Sequence, residues 1–213
     1  MTNPNLTHIE FVLDRSGSMQ SIKQDIQGGF DAYIADQAAQ PGQCTVSLAQ
    51  FDTEYELVFS AIDVHDVRPL KLEPRGSTAL LDAIGRSINA LGARLAALPE
   101  DDRPGAVIVA IMTDGLENAS REYSHAQIKE MITRQEKTYN WQFLYMGADQ
   151  DAIEVGASIG IRQDRSLTYD RAMSQQAYAS SAKLTRKLRA ASAAGASLAG
   201  VGFDDQDRAD AQA

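Results

Sequence analysis

Three short stretches of the sequence place oxygen-bearing side chains next to segments that are expected to be regular structure. The first, D-R-S-G-S, follows an apolar run that ends at Leu13. The second, R-G-S-T, precedes a segment with helical spacing, and the third, T-D-G, follows the most apolar run of the chain. Together they offer two carboxylates and several hydroxyls, without histidine or cysteine. The five candidate residues are Asp14, Ser16, Ser18, Thr78 and Asp114.

This set of oxygen donors suits a hard divalent cation. Mg²⁺ takes six oxygen ligands, accepts neutral hydroxyls, and keeps several waters when only one or two carboxylates bind it. We expect Asp14 and Asp114 to balance the charge of the ion, and the three hydroxyls to be its neutral ligands. A coordination position then remains that a carboxylate of another molecule can fill. Mg²⁺ is the expected metal, with Mn²⁺ or Ca²⁺ as alternatives.

Strand and helix patterns alternate along the chain, which predicts an α/β fold. Strands are expected at residues 8–13, 45–51, 55–62, 106–112, 141–146 and 166–169, and helices at residues 18–40, 78–98, 124–137 and 152–159. The two strands at 45–62 read as a hairpin. The prediction is a doubly wound, Rossmann-like fold whose mostly parallel sheet has about six strands and one antiparallel edge strand. Helices cover both faces, and residues 106–112 lie at the centre because none of them is polar. Ligands of such sheets bind at the carboxyl ends of the strands, where the three polar stretches fall.

The motifs D-R-S-G-S, G-S-T-A-L and T-D-G, in this order, resemble the metal-ion-dependent adhesion site (MIDAS) of the von Willebrand factor type A (vWA) domain, written DxSxS…T…D. The resemblance covers about residues 5–170. It implies the vWA fold, the five candidate residues as metal ligands, and a protein partner that supplies an Asp or Glu carboxylate. Ser77 stands where the family often has a second glycine. The stretch T-D-G-L-E-N-A-S-R-E-Y-S further resembles compact bacterial vWA proteins of the tellurite-resistance and stress-operon type.

Each polar stretch also has a simpler interpretation. The first stretch could be no more than a cap of the following helix, and Asp114-Gly115 could be no more than a turn. Arg15 could steer an acidic ligand or be solvated, and Glu117 and Asn118 could rim the site or keep a loop soluble. The scattered histidines and the single cysteine are expected to be structural; they are His8, His65, His125 and Cys44.

The C-terminal part differs in character from the predicted vWA domain at residues 1–170. Residues 162–189 contain seven basic residues against two acidic ones. A helix is expected at residues 171–194, packed on the domain through Met173, Leu184 and Leu188, with its charges either on the acidic body of the protein or on an acidic partner. Residues 195–213 are rich in small and acidic side chains and are expected to form a flexible tail.

Composition narrows the function classes. Of 213 residues, 44% are hydrophobic, and the formal net charge of −9 argues against nucleic acid as the main partner. No run approaches the roughly 20 apolar residues that a membrane helix needs, so a cytoplasmic protein is expected. The expected function is a metal-dependent protein-binding adaptor that is not an enzyme, and there are two alternatives, a phosphatase and a nucleic-acid-binding protein. A haloacid-dehalogenase-like phosphatase lacks its second aspartate, because Ser16 stands there, and nucleic-acid binding would depend on the basic segment.

Overall fold

The computed structural model describes residues 2–212; Met1 and Ala213, which the predicted first domain and tail include, lie outside this range. The strands are β1 (Asn3–Asp14), β2 (Gln43–Phe51), β3 (Tyr55–Asp63), β4 (Pro104–Thr113), β5 (Gln142–Ala148) and β6 (Ser166–Tyr169). The helices are α1 (Lys23–Ala38), α2 (Leu80–Ala96), α3 (His125–Tyr139), α4 (Ala152–Ser158), α5 (Ser174–Ala193) and α6 (Asp205–Asp210). Within residues 2–212 no helix is long and apolar enough to cross a membrane.

The six strands form one sheet in the order β3-β2-β1-β4-β5-β6. All neighbouring pairs are parallel except β2 and β3, which form the expected antiparallel hairpin at one edge. The predicted fold class is therefore confirmed. Strand β4 lies beside β1 in the middle of the sheet, as its continuous apolar run indicates. Its side chains alternate between two cores, with Ile108, Ala110 and Met112 in one and Val107, Val109 and Ile111 in the other.

Helices cover both faces of the sheet. On one face α1 and α5 pack together, and Phe11 of β1 makes edge-to-face contacts with Phe30 and Tyr33 of α1, at centroid distances of 5.0 and 4.9 Å. On the other face the buried side chains of α2 and α3, such as Ile84 and Ile128, cover the sheet. The chain therefore crosses the sheet repeatedly, and each crossing brings a loop to the edge where β1 and β4 end.

Helices α1, α2 and α5 begin later than the sequence pattern indicates: α5 begins at Ser174 instead of residue 171, and the delays of α1 and α2 lie at the polar stretches. A 3₁₀ turn at Gly17–Ile22 precedes α1, so the first stretch is loop and 3₁₀ turn rather than α-helix. Helix α2 begins at Leu80 instead of residue 78: Ala79 has the non-helical angles φ −94° and ψ 62°, and its amide donates to the Asp52 carbonyl at 2.9 Å. Thr78 is thereby held in a loop in front of the helix.

Helix α5 lies against the domain with Leu184 and Leu188 fully buried, whereas Met173 in the 3₁₀ turn before it is only partly buried. Tyr33 of α1 donates a hydrogen bond to Thr185 of α5 at 2.7 Å between oxygens. These contacts explain why an Ala- and Ser-rich helix with a narrow apolar stripe is docked.

Within residues 195–212, the segment expected to be a flexible tail contacts the domain at several points. Leu198, Phe203 and Ala211 are buried, and α6 forms within this segment. The Phe203 amide donates to the Asp164 carbonyl at 2.8 Å, and the Asp170 amide donates to the Ala211 carbonyl at 2.9 Å. The segment has few apolar side chains, but those few are spaced so that each reaches the domain.

Candidate metal centre

The candidate site lies where the neighbouring parallel strands β1 and β4 end. Leu13 is paired with Met112, so Asp14 and Thr113 leave the sheet side by side. The Thr113 hydroxyl donates to Oδ2 of Asp14 at 2.6 Å, and the Ser16 amide donates to Oδ1 at 2.6 Å. The carboxylate of Asp14 is therefore fixed in orientation and fully buried.

The two serines of the first stretch point towards the carboxylates and cap nothing. Ser16 is the residue before the 3₁₀ turn, yet its side chain makes no capping hydrogen bond. Its Oγ lies 3.1 Å from Oγ of Ser18, which donates to Oδ1 of Asp114 at 2.6 Å. The capping interpretation of these hydroxyls is therefore not what the structure has.

Thr78 is positioned by its backbone, which leaves its hydroxyl available. Its amide donates to Oδ1 of Asn118 at 3.0 Å, and its carbonyl accepts from the Asn118 amide at 3.0 Å. Gly76, at φ +68°, turns the chain just before it, and its carbonyl accepts from the Gly17 amide at 3.2 Å. Within residues 2–212 the Thr78 hydroxyl has no hydrogen-bond partner.

The space above Gly115 shows that the three stretches meet. A Cβ atom on this glycine would lie 3.0 Å from Oγ1 of Thr78, 3.8 Å from Oγ of Ser18 and 3.9 Å from Oδ2 of Asp14. One point next to the backbone of the third stretch is thus within 4 Å of three oxygens that belong to the first and second stretches. The structure brings all five candidate side chains together, and a larger residue at position 115 would enter the space between them.

The electrostatics of the cluster are those of two buried like charges. Burial raises the pKa of Asp14 to about 6, with hydrogen bonds from Thr113 and Ser16 opposing the shift and the charge of Asp114 adding to it. Burial also raises the pKa of Asp114, against the hydrogen bond from Ser18 and the charge of Arg171. Oδ2 of Asp114 is buried and has no hydrogen-bond partner among the described residues. A carboxylate oxygen of this kind is costly unless a cation binds it.

The donor set fits a hard cation that takes neutral oxygen ligands. In residues 2–212 no group of three or more His, Cys, Asp or Glu side chains could hold a metal ion. A metal at this edge would thus depend on hydroxyls as well as on Asp14 and Asp114, which is a combination that Mg²⁺ accepts. Ser16, Ser18 and Thr78 are the hydroxyls within reach. Their role as ligands remains a prediction.

Several neighbours of the site have a role that the sequence analysis did not predict. Thr113 holds Asp14, Asn118 holds Thr78, and Glu117 accepts from the Leu81 amide at 3.0 Å at the start of α2. The T-D-G stretch pointed to Thr113, but only the pairing of β1 with β4 shows which carboxylate it contacts. Glu117 and Asn118 thus hold the first turn of α2 and the loop that precedes it.

Arg15 is neither solvated nor free to steer a ligand. It is 7% exposed, its Nε donates to Oδ2 of Asp52 at 2.8 Å, and Nη1 donates to Glu56. The same Asp52 oxygen accepts from Nε of Arg75 at 2.9 Å. Burial pushes the pKa of Asp52 upward, but hydrogen bonds from Arg75, the Glu54 amide and Arg15 outweigh it and hold the pKa below its usual range. This ion-pair group fastens the loop of the first stretch to the β2–β3 hairpin.

The basic segment at residues 162–189 is in contact with the protein itself. Arg186 is paired with Asp36 of α1, Lys183 with Asp204 and Asp207 of the tail, and Lys187 with Asp204. Arg189 donates to the Gln37 carbonyl at 2.8 Å, and the buried Arg165 donates to the Leu198 carbonyl at 2.9 Å. Of the two readings of this segment, the structure has its charges on the body of the protein. Arg171, described below, reaches the candidate site.

Comparison with known proteins identifies the fold that this chain shares with solved structures. No family model matches the sequence, and no curated protein matches it. Solved structures do match. Proximal thread matrix protein 1 from the mussel byssus superposes with a TM-score of 0.58 at 16% identity, over 85% of this chain and 46% of that one. The vWF domain of the type V pili tip protein Mfa5 from Porphyromonas gingivalis gives 0.57 at 11% identity, over 85% of this chain and 95% of that one.

The chain has the vWA fold. A von Willebrand factor type A protein from Catenulispora acidiphila also matches, with a TM-score of 0.53 at 14% identity, over 88% of this chain and 42% of that one. This chain therefore spans less than half the length of the mussel and Catenulispora proteins. The mussel protein has also been solved with a zinc-occupied MIDAS motif. The resemblance to vWA domains is confirmed for the fold, and the finer likeness to tellurite-resistance and stress-operon proteins remains a prediction.

Proposed function

We propose that this protein is a binding module that captures an acidic side chain of a partner protein through a divalent metal at the carboxyl edge of its sheet. The observation that carries the proposal is the convergence of two buried carboxylates and three hydroxyls on one space, with Oδ2 of Asp114 left without a hydrogen bond. When bound, the ion would supply an electrophilic centre with a coordination position for a carboxylate. Asp14 and Asp114 would carry its counter-charge.

Mg²⁺ is the proposed ion, because the donors are hydroxyl and carboxylate oxygens. Ser16, Ser18 and Thr78 would be its neutral ligands, so the site offers the ion little negative charge. Support for a divalent ion also comes from the zinc-occupied MIDAS motif of the mussel protein, which shares this fold. Mn²⁺ and Ca²⁺ are the alternatives that metal titrations would separate.

A non-enzymatic role is proposed because no activated nucleophile is present among the candidate residues. The hydroxyls of Ser16 and Ser18 contact each other and Asp114, and none of their hydrogen bonds involves a histidine. Serine catalysis needs a base in hydrogen-bond contact with the nucleophile, and the carboxylate that Ser18 contacts, Asp114, is here proposed as the counter-charge of the metal instead. Asp14 is an aspartate at a strand end, but Ser16 stands where a phosphatase of the haloacid-dehalogenase type would have its general acid.

The proposal is tested by a pull-down from the native cell with the full chain, first in Mg²⁺ and again in EDTA. Wild type is compared with Asp14→Ala and Thr78→Ala, and Asp66→Ala is the matched control because Asp66 is an exposed aspartate outside the cluster. A partner retained by wild type and Asp66→Ala in Mg²⁺, and lost in EDTA and in Asp14→Ala, supports the proposal. A partner that binds equally in EDTA or to Asp14→Ala contradicts it.

Linkage provides a second check once a partner is known. The partner must tighten the metal by the same factor by which the metal tightens the partner. Calorimetric titration of Mg²⁺ with and without the partner measures one factor, and titration of the partner with and without Mg²⁺ measures the other.

A further inference from the structure

Arg171 places a positive charge against the proposed metal site. Its Nη2 lies 3.4 Å from Oδ2 of Asp114, the carboxylate oxygen that has no hydrogen bond, and donates to the Asp114 carbonyl at 3.2 Å. Arg171 lies in the 3₁₀ turn before α5. In the sequence, strands β5 and β6 separate it from Asp114. The guanidinium is therefore a positively charged group of this chain that stands where a cation would neutralise Asp114.

A second aspartate holds Arg171 in this position. Nε of Arg171 lies 3.3 Å from Oδ2 of Asp149, and the Arg171 amide donates to Oδ1 of Asp149 at 3.3 Å. Asp149 adopts φ +49°, a conformation that non-glycine residues seldom take, and its amide donates to the Tyr169 carbonyl at 3.0 Å. Strained backbone of this kind persists where the surrounding structure requires it, and it clusters at binding sites.

The guanidinium still has a donor to offer. The Arg171 side chain is 39% exposed, and within residues 2–212 its Nη1 makes no hydrogen bond. Guanidinium groups match the planar carboxylate better than any other side chain does, because their donors lie in a rigid fork. A carboxylate arriving at the site would thus find a free N–H group beside the metal.

We propose that Arg171 couples metal binding to carboxylate binding, a role that rests on the proposed metal site. A divalent ion and a guanidinium that share Asp114 repel each other, so Arg171 weakens the binding of the metal alone. A carboxylate that contacts both cations relieves this repulsion: one oxygen binds the ion and the other accepts from Arg171. The preferred partner group is therefore a carboxylate with two free oxygens, in preference to a hydroxyl or an amide.

The proposal predicts opposite effects of one substitution on two affinities. In Arg171→Gln, Mn²⁺ alone should bind about tenfold more tightly, because the competing charge is gone. The gain in Mn²⁺ affinity that saturating acetate gives to wild type should fall towards one. Arg171→Lys keeps the charge and loses the fork, so its Mn²⁺ affinity should stay near that of wild type while the acetate effect is reduced.

In the experiment Mn²⁺ is titrated into the full chain, with and without acetate. Electron paramagnetic resonance measures the concentration of free Mn²⁺ at each step of the titration. Arg162→Gln is the matched control, since Arg162 is an arginine of the same basic segment with 42% exposure that pairs with Asp164. Thermal unfolding in EDTA shows whether each variant is folded. Should Arg171→Gln fail to fold, the Arg171→Lys comparison decides, because an acetate effect equal to that of wild type would overturn the proposal.

Each outcome decides between distinct conclusions. If Arg171→Gln weakens Mn²⁺ binding, or leaves both affinities unchanged while wild type binds Mn²⁺, the coupling role is wrong and the metal site stands. If wild type binds no Mn²⁺ but Arg171→Gln does, the coupling role is supported. If neither binds, the metal site and the coupling role are both overturned.

Discussion

Strand β1 carries two buried polar clusters, one at each end of its buried half. The strand-end cluster consists of the five candidate metal ligands. The His8 cluster consists of His8, Glu10, Thr45, Ser47, Ser87 and Arg94. Both lie inside the same fold, and His8, Glu10 and Asp14 are all at most 3% exposed.

The clusters differ in charge and in hydrogen bonding. In the His8 cluster Nε2 of His8 lies 2.8 Å from Nη2 of Arg94 and 3.3 Å from Oε2 of Glu10, and Nδ1 lies 2.9 Å from Oγ1 of Thr45. Glu10 accepts from Ser87 at 3.0 Å and offsets the charge of Arg94. Burial lowers the pKa of His8, so the ring is neutral at pH 7. An acid is thus buried together with a base.

The strand-end cluster instead buries two acids together. The His8 cluster balances the acid Glu10 with the cation Arg94, whereas in the strand-end cluster Oδ2 of Asp114 makes no hydrogen bond and has only the ion pair with Arg171 at 3.4 Å. Buried polar groups of balanced charge serve the fold, while two like charges that share one partly exposed arginine call for a further cation. Burial of a polar residue is therefore a weaker sign of function than the balance of charge around it.

The largest expected effect is a difference between the two clusters in how a substitution changes Mg²⁺ binding. Asp14→Ala should lose Mg²⁺ binding completely, because one of the two counter-charges is removed. For wild type at a Mg²⁺ concentration of 100 times Kd, the free energy of unfolding should rise by about 2.7 kcal/mol relative to EDTA. Denaturant unfolding with Mg²⁺ and with EDTA measures both. Glu10→Gln is the control, and its response to Mg²⁺ should equal that of wild type.

Next in size is the effect of Glu10→Gln on the fold itself. Removing the acid leaves the charge of Arg94 partly buried without compensation, which should lower the free energy of unfolding by about 3 kcal/mol. Chemical denaturation in EDTA measures the change. An unfolding free energy within error of wild type would mean that the His8 cluster does not need its acid, and the comparison would lose its basis.

A smaller effect is expected for Thr78→Ala. The backbone hydrogen bonds between Thr78 and Asn118 remain, so stability in EDTA should change little. Metal affinity should fall about tenfold, or about 1.4 kcal/mol, since a neutral ligand is lost. Calorimetry with Mg²⁺ gives the affinity, and Ser77→Ala is the neighbouring control. Equal affinities for wild type and Thr78→Ala would remove Thr78 from the ligand set.

The smallest effect is the most specific one. Because the pKa of Asp14 is about 6 in the folded protein against an ordinary 3.8, the folded state holds this proton more tightly, and stability falls as the pH rises from about 4 to about 6. The charged form then destabilises the metal-free fold at pH 7. Asp14→Asn should raise the free energy of unfolding there by about 1 kcal/mol, less than the full pKa shift corresponds to, because an amide replaces only part of the hydrogen bonding of the carboxylate. Neutralisation would thus stabilise one cluster and destabilise the other. A loss of stability in Asp14→Asn, measured in EDTA, would contradict this.

The sequence pattern was sufficient where a signal is local. The continuous apolar run of β4 predicts a central strand, and polar residues directly after β1 and β4 predict a site at that edge. Asp52 follows β2 in the same way, so the same rule would have found it at the carboxyl edge.

Contacts between distant parts of the chain could not be read from the pattern. Arg171 looked like one more charge in a basic run, yet it meets Asp114 because β6 ends at the same edge as β4. Likewise, Leu198 and Phe203 are too sparse to form a periodic pattern, and only the surface onto which they fold makes them part of the core.

The hydrogen bond between the Asp170 amide and the Ala211 carbonyl has a mechanical consequence. Tension applied at residue 212 loads this bond together with the one from the Gln212 amide to the Ala209 carbonyl, and the residue that follows Asp170 is Arg171. Tension applied at the amino end enters β1 at Asn3, at the opposite edge of the sheet from the proposed metal. Pulling on one end of the chain would therefore disturb the metal site before the core yields, whereas pulling on the other end would reach the site only by breaking the middle of the sheet.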